Sequence, residues 1–170
     1  MSAAMARFGG LAGIGAGIAL VGEFSLFMLS GFSPDTFADA ERTVAFLRER
    51  GGYLRAAVLV GSLGAGLTTL FVVGLASRLR EAAPTRAAAT MYLGVMGGVG
   101  HGLVALTFWV GIPLLIGQAD RDPAQAAAAV VALAVITSGA EAFGNLFLAL
   151  SMAAAGWAMA STRVLSSVAG

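Results

Sequence analysis

Four long apolar runs, separated by short polar stretches, set the pattern of this 170-residue chain. Residues 9–31 carry one charge, at Glu23, and residues 56–76 carry none between Arg55 and Arg78. Residues 87–117 hold only His101, the sole histidine, and residues 124–160 are interrupted by Gln125, Glu141 and Asn145. Each run reaches the roughly 20 residues that a helix needs to cross hydrocarbon, so the pattern predicts four transmembrane helices. The first is a retained span, because more membrane follows it where a signal peptide would end in a cleavage site and a soluble domain. The fourth run would be about 54 Å long as one helix, against a hydrocarbon core of about 30 Å. Either its alanine-rich start projects beyond the bilayer or it breaks near Ser138-Gly139. Pro113 predicts a bend near the far end of the third helix.

The longest polar connection shows helical spacing of its own, at Phe37, Ala40, Val44 and Leu47. Ser33 suits an N-cap, Pro34 the first helical position, and Asp35 and Asp39 the positive end of the dipole, while Gly51-Gly52 can close the far end. The stretch 34–50 therefore reads as a short amphipathic helix on the membrane surface. Asp122-Pro123 reads as the N-cap and first residue of the fourth helix. The expected fold is all-α: an integral membrane bundle of four transmembrane helices with this short helix in the first loop.

Composition sharpens the picture. Hydrophobic residues make up 58% of the chain and charged residues 11%, well below the roughly 25% charged of soluble domains. Ten arginines, no lysine and nine acids leave no basic footprint, so nucleic acid is excluded as a partner. With no cysteine there is no disulfide, thiolate metal site or cysteine nucleophile. No phosphate loop, dinucleotide fingerprint or zinc-protease helix is present, and no cofactor is expected. Arginines divide evenly between the two faces of a four-span chain. The dense short loop with Arg78, Arg80 and Arg86 tips the balance toward a cytoplasmic second loop and two cytoplasmic termini in a cell membrane.

Glycines fall four apart at Gly9, Gly13 and Gly17, and again at Gly94, Gly98 and Gly102, giving ridges along which a neighbouring backbone can approach. The chemistry lies beside them. Glu23, His101 and Glu141 sit where a charged side chain costs at least about 2.5–3.5 kcal/mol, so each asks for a partner. Glu23 lies 16 residues beyond Arg7 and His101 lies 15 beyond Arg86, depths that agree to about 2 Å if the arginines mark one interface. A hydrogen bond between Glu23 and His101 is expected across the first and third helices. Glu141 is 22 residues from Arg163, which places it near the opposite boundary, with Asn145 one turn further on. The group reads either as a hydrogen-bonded packing element or as a proton or cation pathway; one histidine and two distant acids make a poor metal set.

Residues 13–24, GIGAGIALVGEF, align without gaps to residues 98–109, GVGHGLVALTFW, a hint of internal repetition. The opening RFGGLAGIGAGIALVGEF, the run TVAFLRERGGYLRAAVLVGSLGAGLTTLFVVGLASRLREA and the alanine-rich fourth helix resemble the bacterial membrane proteins grouped as domain of unknown function 4386. That resemblance implies six helices in a typical member, so this chain is expected to be a fragment or a shorter relative, and it implies no activity. The reading that fits these features is a non-enzymatic structural or partner-binding bundle. The alternative is a small proton-coupled transporter using Glu23 and His101, and the third is a membrane-embedded enzyme. Expected partners are the lipid bilayer and either a second copy or another membrane protein.

Overall fold

The computed structural model describes residues 3–31, 33 and 40–162. They form four helices: α1 Ala3–Ser30, α2 Ala40–Leu79, α3 Pro84–Ala119 and α4 Pro123–Thr162. All four contain a segment long and apolar enough to cross a membrane, and no strand occurs among the described residues. The fold is the all-α integral membrane bundle that the four runs predict.

Local chemistry explains the helix ends. Gly31 takes a left-handed φ of 69° after α1, a conformation open to glycine, and its N–H donates to the Met28 carbonyl at 3.2 Å. The Ser30 hydroxyl donates to the Phe27 carbonyl at 2.7 Å. Pro84 and Pro123 occupy first helical positions, where a missing N–H costs nothing. The Asp122 carboxylate accepts from the Gln125 N–H at 3.1 Å, the N-cap read from the sequence.

Two helices run further than the sequence suggested. Residues 40–50 are the opening turns of α2, not a separate surface helix, and the helix continues through Gly51-Gly52; the stretch 34–39, with Phe37, lies outside the described residues. The reason is a continuous buried stripe, Thr43, Leu47, Gly51, Leu54 and Val58, at helical spacing. A glycine costs an isolated helix only about 1 kcal/mol, which tertiary packing along such a stripe readily overrides. Likewise α4 is unbroken at Ser138-Gly139 over its 40 residues, about 60 Å, so it extends beyond the hydrocarbon. α3 is continuous through Pro113.

The helices build two compact units. One comprises residues up to Ile18, Gly64–Gly100, and Ala142 onward; the other comprises Ala19–Leu63 and His101–Glu141. In the first, Leu79, Ala83, Ala87, Ala155 and Ala158 form a small-residue core flanked by Leu75 and Met159. There the buried Ser151 hydroxyl of α4 donates to the Thr90 carbonyl of α3 at 2.7 Å. In the second, Leu47 and Leu54 of α2 meet Ile112 and Leu115 of α3 and Val130 of α4, with Phe27 of α1 packed against them. Arg48 pairs with Asp120 at the exposed end of this unit.

Leu11, Ile14, Ile18, Leu20, Val21 and Phe24 of α1 are each 65–70% exposed. An apolar surface of that density belongs against lipid rather than water.

Candidate functional site

The depth of any residue in this bundle can be read from its arginines and tryptophans. In one unit the Arg86 guanidinium lies over the Trp157 ring, 4.4 Å from its centroid, and it bonds the Ser161 hydroxyl. In the other, Arg55 lies over Trp109 at 4.5 Å. Tryptophan and arginine gather at membrane interfaces because the ring is amphipathic and the long cationic chain reaches headgroups. Arg86 and Trp109 stand on the same helix, 23 residues or about 34 Å apart, close to the hydrocarbon thickness of about 30 Å. Each tryptophan, left alone by replacing the other with phenylalanine, should be quenched more by lipids labelled near the headgroup than by lipids labelled at the chain ends. Stronger quenching from the chain ends would remove this depth scale.

Measured this way, four positions share one level. Glu23 is 16 residues from Arg7, Gly61 is 17 from Arg78, His101 is 15 from Arg86, and Glu141 is 16 from Trp157. At 1.5 Å per residue all lie about 22–26 Å from that face, inside the hydrocarbon. All four also belong to the same compact unit.

On this scale Glu141 lies about 10 Å short of the Trp109 end, nearer the opposite boundary than the Trp157 face.

Glu23 is the centre of the group. Its carboxylate rests directly on Gly61 of α2, in the space that a Cβ at that position would fill. It is half-buried and in electrostatic contact with both Glu141 and His101. His101 is half-buried on the α3 face that carries Gly94, while Glu141 and Asn145 are exposed on α4. The structure thus draws Glu23, His101 and Glu141 together and leaves the Asn145 amide on the lipid side. A carboxylate and an imidazole within electrostatic reach of each other inside hydrocarbon are groups of the kind that proton pathways use. Among the described residues no three histidine, aspartate or glutamate side chains are grouped to hold a metal ion.

Gly61 is the residue that sequence reading missed in this role. Its depth matches that of Glu23, and that signal was available in the spacing to Arg78.

The glycine ridges serve α2 more than each other. A Cβ at Gly9 would lie 3.5 Å from the Gly74 Cα, and one at Gly13 would lie 3.0 Å from the Phe71 ring. On α3, Gly94 meets Val72 and Gly98 meets the Thr69 hydroxyl, each 2.5 Å from a Cβ position. Gly17 and Gly102 have no described atom within 4 Å of that position. They extend the ridges by spacing but not by contact.

No curated protein and no solved structure matches the chain. Residues 15–170 match the model of the family described as domain of unknown function (DUF4386), and the chain, an integral membrane protein of unassigned function, belongs to that family.

Proposed function

We propose that this protein is a small proton-coupled membrane transporter in which Glu23 takes up and releases the proton and His101 is its partner. The observation that carries the reading is the Glu23 carboxylate seated on Gly61 at a depth shared with His101 and Glu141. Packing alone would favour an apolar side chain there, since an ionised one is costly inside hydrocarbon, by up to about 2.5–3.5 kcal/mol at its centre. A carboxylate kept at that cost, on a glycine that leaves it room, serves a group whose protonation changes. The arginines of the second loop support an orientation with both termini in the cytoplasm of a cell membrane.

The test is proton movement driven by a pH step across vesicles containing the purified protein and an internal dye. Wild type should move protons, and Glu23→Gln should abolish the movement while the helical signal survives. Gly61→Ala should impair it as well, because a methyl there takes the space of the carboxylate, and that carboxylate can swing aside without unfolding the helices. Undiminished movement in Glu23→Gln would overturn the proposal.

A second reading, a non-enzymatic structural or partner-binding bundle, is favoured by the exposure of Glu141 and Asn145 on α4. On that reading wild type moves no protons and Glu23→Gln changes stability alone.

A further inference from the structure

From Ala142 onward α4 carries an unpartnered seam. Ala142, Asn145, Ala149, Met152 and Gly156 follow one another at intervals of three and four residues, and every one of them is exposed. The adjacent row Phe143, Leu146, Leu150, Ala153 and Trp157 is equally exposed at the same spacing, and what sets the first row apart is its small residues and its one amide. The flank of α4 that meets α3 is a different one: Gly144, Ser151 and Ala155 are buried, and Ser151 bonds the Thr90 carbonyl. α4 therefore has one face already in use and, on its exposed side, a row of mostly small residues around Asn145.

An independent feature says what belongs on it. Asn145 lies 12 residues from Trp157, about 18 Å below that interface and close to the middle of the hydrocarbon. Its amide both donates and accepts hydrogen bonds, and lipid chains offer it neither. The residues around it in the seam, Ala142, Ala149 and Gly156, are small enough for two backbones to come close. A carboxamide is complementary to itself, and a second copy inserted the same way brings an identical one to the same depth. Two-fold symmetry then lets each amide donate to the other, as a core asparagine does when it sets the register and pairing of coiled-coil dimers.

We infer that the protein forms a parallel homodimer through α4, with Asn145 bonded to its counterpart across the two-fold axis. The inference is independent of Glu23 and stands or falls apart from proton transport.

The chain has no cysteine, so a single one can report the contact. Ala149→Cys and Leu150→Cys, both at exposed positions, are reconstituted separately in phosphatidylcholine vesicles and oxidised with copper phenanthroline. Ala149→Cys should form a disulfide-linked dimer and Leu150→Cys, on another face of α4, should form little. Adding Asn145→Leu should raise the dimer dissociation constant about threefold or more, the size expected from losing an interhelical hydrogen bond of this kind. Leucine suits a lipid-facing helix, and circular dichroism checks that the fold is kept. Adding Asn145→Gln, which retains the amide, should preserve most of the cross-link. Equal cross-linking at both positions, more at Leu150→Cys, none at either, or yields indifferent to Asn145→Leu would each overturn the homodimer.

Discussion

Gly97→Leu is expected to destabilise the bundle by about 1–3 kcal/mol through overpacking, clearly more than Gly102→Leu on the same helix. A Cβ at Gly97 would stand 2.6 Å from Leu148 Cγ and 3.0 Å from the Gly144 carbonyl oxygen. The second of these is backbone, so relief requires α4 to move away from α3 and disturbs the neighbouring Ser151 to Thr90 hydrogen bond. At Gly102 there is no described atom within 4 Å, so a side chain there meets lipid or open space. Both substitutions also remove a glycine from a helix interior, a gain of up to about 1 kcal/mol that is common to the two and drops out of the comparison. Unfolding in mild detergent, followed by loss of tryptophan signal, reads the difference. Equal losses would mean that α3 and α4 do not approach closely at Gly97.

Gly97 also shows where sequence pattern stops being informative. Spacing identifies residues that share a helix face, and the Gly94, Gly98 and Gly102 ladder is visible for that reason. Spacing does not say which helix approaches the face or how far along it. In the structure Gly94 and Gly98 serve α2, while Gly97, outside the ladder, makes the closest approach to α4. The four helices themselves were legible because each apolar run is long enough to cross a bilayer, a signal that tertiary packing rarely overturns. The Asp122-Pro123 start was legible because its determinants are local.

The glycine pair at 51 and 52 misled for the converse reason. It weakens a helix locally, but Leu47 and Leu54 on either side pack against Ile112 and Leu115, and that non-local burial keeps α2 continuous.

The candidate site was legible in part. Glu23 and His101 stood out because ionisable residues are rare in hydrocarbon and their depths could be counted from arginines. The depth of Gly61 was legible in its spacing to Arg78, but that this glycine of α2 faces α1 is a contact that no periodicity encodes.

Glu23 and His101 are further expected to behave as one unit when either is altered. Each is half-buried at the same depth, and the two are in electrostatic contact. In so apolar a setting a polar group that loses its partner has little water to turn to, so its cost rises when the other is removed. Removing the second member of such a pair then costs less than removing the first. Glu23→Gln and His101→Ala should therefore be non-additive, with a coupling of about 0.5–3 kcal/mol, while distant sites add within about 0.5 kcal/mol. Leu103→Ala, at an exposed position on α3, serves as the unrelated partner for Glu23→Gln and should show additivity.

The most direct measurement is the double-mutant cycle itself, made from unfolding free energies of wild type, Glu23→Gln, His101→Ala and the double variant in one detergent. A coupling above about 0.5 kcal/mol for Glu23 with His101, absent for Glu23 with Leu103, is the result predicted. Additive losses for Glu23 and His101 would contradict the account, because the two residues would then not form a common site.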